Sequence, residues 1–477
     1  MAPEIRLTAE WVAAALAGTI VDGDHRRAFA GVSIDTRTIG AGELYVGIRG
    51  PRFDGADFAD AAVAAGAAGV VVPRERARQG GGGGNITPPP VVAAVTIAVD
   101  DTTVALQALA HAVRVASGTK VVAITGSAGK TTTKEVTAEF LGAKYRVIRN
   151  RGNLNNHIGL PLSLIELTAR PDVAVVEFGM NHAGEISTLV WIAEPDVRVW
   201  TNVGDAHVGF FGSGDAIADA KAEILEGATS HTVLVANADD ARIGARTSAF
   251  PGRVVRFGIE RPAEVRAEAV VDRGIDGISA RVQTPRGAID LATPLVGRGN
   301  LANVLAAIAV GVEFDVPLAA IADRASRLQP ASRRGEVIRL ANGVVVIDDS
   351  YNASPAATRR ALDVLGAPGG AGRRVAVLGE MLELGERSIA LHQDVGRAAA
   401  AARLDLLVTV GGDAAAALAE AAVAGGLPRT RTRHLATSEE AADASAALIQ
   451  PGDLVLVKGS RGVRTDKVVD RLKAEFA

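Results

Sequence analysis

Apolar residues along this 477-residue chain form short unbroken runs separated by alanine-rich amphipathic stretches. Between residues 120 and 240 the runs are "VVAIT", "DVAVVEFG", "VRVWTNVG" and "HTVLVAN"; beyond residue 340 they are "GVVVIDDS", "RRVAVLGEM", "DLLVTVGG" and "DLVLVKGS". Runs of this length and β-branched content are typical of parallel strands buried on both faces. With helical patterns such as "SEEAADASAALI" between them, they predict an α/β fold, and the later set predicts an open doubly wound sheet.

The first hundred or so residues mix short strands with alanine-rich helices. Here "VVAAVTIAVDD" predicts a strand and "TVALQALAHAVRVA" predicts an amphipathic helix. The stretch "RQGGGGGNITPPP" (78–90) is predicted to be a flexible loop inserted in this region. We therefore predict three domains: a small mixed α/β N-terminal domain (1–116), a central parallel-sheet domain of the P-loop type (117–328) and a C-terminal Rossmann-like doubly wound domain (329–477).

Composition narrows the classes of protein. The length suggests about three domains, and a formal net charge of -3 provides no basic field to attract nucleic acid. No apolar run reaches the roughly 18 residues of a membrane span, and the N-terminal stretch carries acidic residues where a signal peptide would be basic. We therefore expect a cytoplasmic protein with neither nucleic acid nor membrane as a partner. Because the chain has no cysteine, any metal would have oxygen or imidazole ligands.

The stretch "VVAITGSAGKTTTKE" (121–135) has the strand, glycine turn and helix order of a phosphate-binding loop. Its loop is short, because only two residues separate Gly126 from Gly129 where the usual P-loop has four. Loop amides and the Lys130 ammonium are suited to the phosphates of ATP, whereas a glycine turn without a ligand is the alternative. The predicted ATP contacts here are Thr125, Gly126, Ser127, Ala128, Gly129, Lys130, Thr131 and Thr132.

Polar residues also follow the predicted strands, where ligands of open parallel sheets collect. Glu177 and Asn202 stand at strand ends, and His207 lies in the loop beyond Asn202. Thr131 opens the helix after the glycine loop. Magnesium prefers oxygen ligands, so Thr131 and Glu177 are suitable, whereas His207 is less usual and is alternatively a histidine hydrogen-bonded within its loop.

The shortened loop "TGSAGKTTTKE" resembles that of the ATP-dependent Mur ligases and their folylpolyglutamate synthetase relatives, and its threonines favour the Mur ligases. Similar segments follow across almost the whole chain: "SIDTRTIGAGELYVGIRGPRFDGADF", "NRGNLNNHIGLPL", "VEFGMNHAGEI", "TNVGDAHVGFFGSGDAIADAKAEIL", "IDDSYNASPAA", "VLGEMLELGERSIALHQDVG" and "LVKGSRGVRTDKVV". The resemblance implies an ATP-dependent ligase of cytoplasmic peptidoglycan precursor synthesis. Two segments, "DDSYNASP" and "GEMLELGERS", are similar to the member that adds D-alanyl-D-alanine to UDP-N-acetylmuramoyl-tripeptide through an acyl phosphate.

The resemblance also implies roles for individual residues. Lys130, Glu177, His207 and Lys221 are the expected catalytic residues. Lys221 is expected to carry a carbamate formed with carbon dioxide, so that with Glu177 and His207 it holds a second magnesium ion. An ordinary solvated helix lysine is the alternative for Lys221.

Further ATP contacts implied by the resemblance are Asn303, Arg334 and Asp349. Arg333 competes with Arg334 for the role, and Gly299 stands where related sequences often have histidine. The implied contacts to the UDP-sugar and peptide substrates are Ser33, Asp35, Thr36, Arg37, Asn153, Asn156, Tyr351 and Asn352. For the "SIDTR" segment the alternative is a surface turn with a local ion pair.

Other functions remain open at this stage. The nearest are another Mur ligase or a folylpolyglutamate synthetase-like ligase; a P-loop kinase or motor ATPase and a nucleotide-binding protein without chemistry are more distant. A monomer that takes only small-molecule substrates is expected. No motif indicates whether the third residue of the acceptor peptide is diaminopimelate or lysine.

Overall fold

The computed structural model describes residues 4–77, 94–205, 208–367 and 372–477. The loop predicted at 78–90 and the proposed metal ligand His207 lie outside the described residues.

Strands and α-helices follow one another in an α/β order. Up to residue 117 they are β1 (Leu7–Thr8), α1 (Ala9–Ala15), β2 (Thr19–Asp22), β3 (Ala28–Phe29), β4 (Val32–Ser33), β5 (Leu44–Val46), α2 (Ala59–Ala64), β6 (Gly69–Pro73), α3 (Arg74–Ala77), β7 (Val95–Val99) and α4 (Thr102–Ser117). Up to residue 325 they are β8 (Lys120–Thr125), α5 (Lys130–Leu141), β9 (Val147–Arg149), α6 (Gly159–Ile165), β10 (Val173–Glu177), α7 (Glu185–Ala193), β11 (Val197–Trp200), α8 (Val208–Phe211), α9 (Gly214–Ala222), β12 (Val233–Asn237), α10 (Ala241–Arg246), β13 (Arg253–Gly258), β14 (Val265–Asp272), β15 (Ile278–Thr284), β16 (Gly287–Thr293), α11 (Arg298–Glu313) and α12 (Leu318–Ala325). The remainder are β17 (Glu336–Arg339), β18 (Val345–Asp349), α13 (Pro355–Gly366), β19 (Arg374–Gly379), α14 (Ser388–Ala401), β20 (Leu406–Val410), α15 (Asp413–Ala424), β21 (Thr432–Leu435), α16 (Ser438–Leu448), β22 (Leu454–Lys458) and α17 (Asp466–Glu475).

The chain divides into two compact units. Unit 1 comprises residues 1–123, 145–180 and 184–196. It contains a five-stranded sheet in the order β2-β7-β6-β5-β4, parallel except where β2 pairs with β7, and the parallel pair β10-β9. The helix predicted from "TVALQALAHAVRVA" is α4; Asp101 caps its first turn and Gly118, at φ 67°, ends it.

Unit 2 comprises residues 124–144, 181–183 and 197–477. In this unit β11, β12, β13 and β14 are parallel neighbours, and β14, β15 and β16 continue as an antiparallel meander. A second sheet has the order β17-β18-β22-β19-β20-β21 and is parallel except for β17. Its fully buried valines, among them Val346, Val377 and Val455, explain why these strands read as continuous apolar runs.

The structure confirms the α/β fold class and places a strand at each of the eight apolar runs. The domain limits at 116/117 and 328/329 stay predictions. Among the described residues, no helix has the length and apolarity that crossing a membrane requires.

Candidate active site

The glycine loop between β8 and α5 has no room for larger residues at its two glycines. A Cβ on Gly126 would lie 1.9 Å from Thr201 Oγ1, and a Cβ on Gly129 would lie 2.3 Å from Asn303 Oδ1. Gly129 also has φ 81°, a left-handed value that glycine adopts without strain. Both positions therefore require glycine, because neighbouring side chains lie directly against the backbone of the loop.

Side chains from the end of β11 hold this loop in place. The Ala128 N–H donates to Asn202 Oδ1 at 2.9 Å, and Asn202 Nδ2 donates back to the Ala128 carbonyl at 2.8 Å. Thr201 Oγ1 donates to the Ala128 carbonyl at 3.1 Å. The Ser127 N–H donates to the Asn202 carbonyl at 3.0 Å. These bonds fix the loop before any ligand binds, which lowers the entropic cost of binding one.

Helix α5 starts directly after the loop and presents its N-terminus to it. Gly129 is the N-cap and supplies no capping side chain. The positive end of the helix dipole is therefore directed at the loop, an arrangement that favours an anion. Lys130 Nζ donates to the Gly126 carbonyl at 2.8 Å, so its charge lies across the loop.

Asn303, the predicted adenine contact, lies behind the loop. Only 7% of it is exposed, and its Oδ1 accepts from Thr133 Oγ1 at 3.3 Å. Its Nδ2 donates to Asn300 Oδ1 at 3.2 Å. In this position Asn303 supports Gly129 and the first turn of α5.

A cavity of about 360 Å³ opens beside the loop, within unit 2. Its walls come from five places: the loop, the segment after β11, the end of β12, the start of α10 and the first half of α13. They are Ser127, Ala128, Asn202, Val203, Gly204, Asn237, Asp239, Asp240, Ala241, Arg242, Ser354, Ala356 and Arg360. A cavity of this size, polar and adjoining a phosphate-type loop, is suited to a nucleotide.

Two of the acidic side chains around this cavity are already hydrogen-bonded to backbone. Asp240 Oδ2 accepts from the Val203 N–H at 2.7 Å, and its Oδ1 caps α10. Asp239 accepts from the N–H groups of residues 259–261. Both therefore shape the cavity, while Arg242 and Arg360 bring positive charge to its wall.

Lys221 lies near the end of α9 and is almost fully buried, at 2% exposure. Burial lowers the pKa of its ammonium well below the usual range, and the positive charge of Lys130 lowers that pKa further. Arg198 on β11 holds the chain just beyond it by donating to the Ile224 and Glu226 carbonyls. A lysine buried near another cation is disfavoured as an ammonium, so the interpretation as a solvated helix lysine is wrong.

Glu177 ends β10 in unit 1 and is 2% exposed. Its Oε1 accepts from Asn155 Nδ2 at 2.6 Å, and its N–H donates to Asn150 Oδ1 at 3.0 Å. Asn155 of the "NRGNLNN" segment therefore orients this carboxylate, and Asn150 of the same segment holds the backbone of Glu177. Within the described residues, no group of three or more histidine, aspartate or glutamate side chains is arranged to hold a metal.

Asn153 and Asn156, the two residues of that segment predicted to contact the substrate, make hydrogen bonds to residues nearby in the chain. Asn156 Oδ1 accepts from the Gly159 N–H at 2.8 Å, at the start of α6. The Asn153 carbonyl accepts from the Asn155 N–H, also at 2.8 Å, and the Asn153 side chain is exposed.

In the C-terminal sheet, Asp349 and the segment after it are held by one buried lysine. Lys458 is 3% exposed, and its Nζ donates to Asp349 Oδ2 at 2.6 Å and to the Asn352 carbonyl at 2.9 Å. The neighbouring Asp348 is buried and accepts from the N–H and hydroxyl of Ser350. Burial raises the pKa of Asp348. Asp349, the last residue of β18, is partly exposed and paired with Lys458.

Arg333 and Arg334 have different partners. Arg333, at φ 61°, pairs with Asp466, with Nη1 3.0 Å from Oδ2. The Arg334 guanidinium stacks 3.9 Å from the Tyr351 ring centre, and that of Arg461 lies 5.8 Å away. Two cations therefore share one aromatic ring, next to Asn352.

The "SIDTR" segment forms a tight turn in unit 1. Arg37 donates to both oxygens of Asp35, and Ser33 Oγ accepts from the Asp35 N–H at 3.2 Å. The hydrogen bond from Arg37 lowers the pKa of Asp35 to about 2. The Arg37 side chain is 85% exposed, so the geometry is that of a local surface ion pair. Thr36 lies in the same turn.

Several residues around the site were not singled out from the sequence. In unit 2, Thr201 contacts the glycine loop and Arg360 lines the cavity. In unit 1, Asn150 and Asn155 contact Glu177. Lys458 was noted only within "LVKGS". Asn150 and Asn155 stood inside a segment already singled out, so the signal for them was the amide-rich composition. For Thr201 and Arg360 the sequence offers no comparable signal, because their role depends on which strands and helices adjoin.

Comparisons with known proteins fit this geometry. Three family models match: "Mur ligase family, catalytic domain" at residues 28–130, "Mur ligase middle domain" at 124–311 and "Mur ligase, glutamate ligase domain" at 333–461. A UDP-N-acetylmuramoyl-tripeptide--D-alanyl-D-alanine ligase of Bacillus subtilis is 33% identical over 98% of both chains.

Solved structures agree. A crystal structure of MurF from Acinetobacter baumannii is similar at a TM-score of 0.87 and 31% identity, covering 99% of this chain and all of the other. A MurF ligase from Thermotoga maritima in complex with ADP has a TM-score of 0.79 at 27% identity, covering 94% and 97% of the two chains.

Proposed function

This chain belongs to the Mur ligase family, and we propose that it joins D-alanyl-D-alanine to UDP-N-acetylmuramoyl-tripeptide in an ATP-dependent reaction. The observation that carries the proposal is coverage: the similarity to ligases with this named activity extends over 98% of both chains, including the C-terminal region. The product is a peptidoglycan precursor, so the activity serves cell-wall synthesis and, through it, cell shape and division.

ATP is placed with its phosphates on the glycine loop and its nucleoside in the adjoining cavity. The N–H groups at the start of α5 face the phosphate oxygens, and Lys130 neutralises their charge. Thr125, Thr131 and Thr132 lie at the two ends of this loop. Asn303 contributes indirectly, because it sets the position of Gly129.

The reaction consists of two transfers. An oxygen of the tripeptide's terminal carboxylate forms a bond to the γ-phosphorus while the bond from that phosphorus to ADP breaks, which gives an acyl phosphate. The amine of D-alanyl-D-alanine then forms a bond to the acyl carbon, phosphate leaves, and the nitrogen loses a proton. Two anions meet in the first step, so fixed positive charge must offset their repulsion.

Magnesium is the metal that this chemistry requires, and Thr131, Glu177, His207 and Lys221 are the proposed ligands. The fit rests on Lys221 and Glu177. Burial lowers the pKa of Lys221 and so favours its neutral amine, the form that reacts with carbon dioxide to give a carbamate and a proton. The carbamate replaces an unfavourable cation beside Lys130 with an oxygen anion, and Glu177 is a second buried anion. When bound, magnesium offsets the charge that develops on the phosphates.

The remaining predicted contacts are assigned to the substrates and to ATP. Ser33, Asp35, Thr36 and Arg37, with Asn153 and Asn156, are proposed to bind the UDP-sugar peptide. Tyr351 and Asn352 are assigned to the dipeptide, and Asp349 to ATP. Arg334 is preferred over Arg333 for the phosphates, because Arg333 is paired with Asp466.

The function is tested by phosphate release. With ATP and UDP-N-acetylmuramoyl-tripeptide alone, release is expected to be slow; D-alanyl-D-alanine should accelerate it with equimolar formation of the pentapeptide product. L-alanyl-L-alanine is the matched control and should not support release. Phosphate release that is independent of the dipeptide would instead favour a nucleotide-hydrolysing protein, and release with single amino acids would favour another ligase of the family.

The carbamate has its own test. With ¹³C-labelled bicarbonate, the wild-type protein should show a carbamate carbon signal that the Lys221→Met variant lacks. Lys134→Met is the control, because Lys134 is also buried, at 1% exposure, but lies next to Glu135. Lys221→Met should lose ligase activity. A signal that persists in Lys221→Met, or a full-rate variant, would rule the carbamate out.

We further propose a cytoplasmic monomer with the predicted domain limits. Light scattering after gel filtration should give a mass near 48.9 kDa, the mass of one chain. A mass twice that value would contradict the monomer.

A further inference from the structure

The segment Glu380–Gly385, between β19 and α14, is held unusually firmly for a loop, and we call it the bracing loop. The Met381 N–H donates to His392 Nε2 at 2.9 Å, and the Leu382 N–H donates to Ser460 Oγ at 2.9 Å. The Ser460 N–H donates to the Glu380 carbonyl at 3.2 Å. Glu380 in turn accepts from the Gly412 N–H through Oε2, at 2.8 Å. Successive residues of the loop are therefore held from three separate places: α14, the segment after β22 and the start of α15.

His392 is fully buried in this arrangement. Its Nδ1 lies 2.8 Å from the Ser388 carbonyl, so Nδ1 carries the proton and Nε2 is the acceptor for Met381. Burial lowers the pKa of the imidazole, which keeps it neutral and keeps Nε2 available as an acceptor. Both ring nitrogens are hydrogen-bonded, which compensates the burial of the imidazole and gives the Met381 N–H a fixed acceptor.

The bracing loop also contains a strained residue. Glu383 has φ 64° although it is not glycine, whereas Gly385 adopts its φ of 56° without strain. Such conformations persist where the surroundings over-determine them, and they concentrate at functional places.

The strained end of the bracing loop contacts helix α8. The Gly209 N–H donates to the Glu383 carbonyl at 3.1 Å. A Cβ on Gly209 would lie 2.6 Å from the Gly385 nitrogen and 2.7 Å from the Glu383 carbonyl oxygen. The two backbones therefore meet at a pair of glycines, and no larger residue fits at position 209.

Helix α8 lies between two residues of the candidate active site. Asn202, which holds the glycine loop, precedes it, and α9 with Lys221 follows it after a turn at Gly212. The Gly212 N–H donates to the Val208 carbonyl at 2.8 Å, and Ser213 caps α9 by accepting from the Ala216 N–H at 3.1 Å, so α8 and α9 are joined by one short hydrogen-bonded turn. Asp205, which precedes α8, has an ion pair of its own, because Arg359 Nη2 of α13 lies 3.9 Å from Asp205 Oδ2.

We propose that the bracing loop is a positioning element for the ligase reaction: it fixes α8 and, through α8, the connection between Asn202 and Lys221. His392 acts as a positioning residue, since its hydrogen bonds go to Met381 of the bracing loop and to Ser388 of its own helix. The inference rests on the proposed function for its kinetic part, whereas the contact itself can be measured without any substrate.

The test uses Gly209→Ala, with Gly244→Ala as the matched control. Both glycines lie in helices without a positive φ, but a Cβ on Gly244 meets no atom within 4 Å. Alanine favours a helix over glycine, so only the contact with the bracing loop opposes the change at position 209. Gly209→Ala should lower kcat about tenfold to a hundredfold, with ADP affinity and melting temperature unchanged, because small misplacements near reacting groups have effects of this size. Gly244→Ala should match the wild type.

Hydrogen exchange gives a second readout. Amides of residues 208–222 should exchange faster in Gly209→Ala and in His392→Leu, but not in Gly244→Ala. His392→Gln keeps an acceptor and should recover part of the rate that His392→Leu loses. Unchanged exchange in Gly209→Ala would overturn the contact, and faster exchange with an unchanged kcat would overturn the positioning role. An inactive wild type would instead refute the proposed function, while the exchange result would still decide whether the contact exists.

Discussion

Lys458 is the residue whose removal should affect the C-terminal sheet most directly. It is buried and donates to Asp349 and to the Asn352 carbonyl, so Lys458→Met leaves a carboxylate and a carbonyl without their donor. Breaking a buried pair in this way costs about 3 kcal/mol of unfolding free energy. We expect denaturant unfolding of Lys458→Met to shift by about that amount, with ligase activity reduced because Asp349 and Asn352 both move.

The control for Lys458 is Lys467→Met, which removes an ion pair with Glu439 at the surface of the same region. Exposed pairs contribute little, so this variant should unfold like the wild type. Equal unfolding midpoints for Lys458→Met and Lys467→Met would show that the buried pair does not hold the strand end.

His392 should make stability depend on pH. Burial lowers its pKa below the ordinary 6.5, while the hydrogen bond to Ser388 and the charge of Glu380 oppose that shift. The unfolded chain therefore binds a proton more readily than the folded one, and stability falls as pH drops below about 6.5 towards the lowered value. Between pH 7 and pH 5, the free energy of unfolding should fall less for His392→Gln than for the wild type. An identical fall would show that His392 is not the source of the pH dependence.

At this scale the sequence predicted residues within motifs better than the contacts between them. Lys130 and Glu177 follow apolar runs and could be located from the chain alone. Thr201 could not, because its contact with Ala128 joins residues 73 positions apart. The Asp35 and Arg37 pair is a case in which the local alternative, a surface ion pair, describes the geometry found.

Among elements, the glycine loop makes the sharpest prediction. Gly129→Ala would force a Cβ against Asn303 in a left-handed backbone, so the loop must move and ADP binding should weaken by at least about tenfold. Gly118→Ala is the matched control: Gly118 also has a positive φ, 67°, but a Cβ there meets nothing within 4 Å. It should lose about 1 kcal/mol of stability and keep its ADP affinity. Calorimetric titration with ADP measures the affinity of both variants, and tight binding by Gly129→Ala would refute the steric account.

Strands buried on both faces were predictable, and strands exposed over part of their length were not. The runs that became β8, β10, β18 and β22 are apolar except at their ends, so the pattern of burial identifies them. The strand β14 alternates only in its first half, and its outer residues are exposed. Its pairing with β15 also contains a register shift between Glu268 and Val271, which local periodicity does not indicate. Such strands are specified by their neighbours more than by their own sequence.

At the scale of the whole molecule, the nucleotide cavity joins distant parts of the chain. Ser127 of the glycine loop and Arg360 of α13 line the same cavity, although more than 200 residues separate them. Both belong to unit 2, which is one compact part of the molecule. A ligand in this cavity therefore has contacts that only the folded chain can provide.

Thermodynamic linkage converts this geometry into a measurable shift. ADP at a hundred times its dissociation constant should stabilise the folded state by about 2.7 kcal/mol, which corresponds to a rise of roughly 4 °C in melting temperature for a unit of this size. Lys130→Met removes the charge that lies across the loop and should reduce the rise at the same ADP concentration. Lys120→Met changes an exposed lysine that is paired with Asp196 at the start of β8. This variant should show the same rise in melting temperature as the wild type. An equal rise in Lys130→Met and Lys120→Met would place the nucleotide elsewhere, because a ligand that does not touch Lys130 cannot distinguish the two variants.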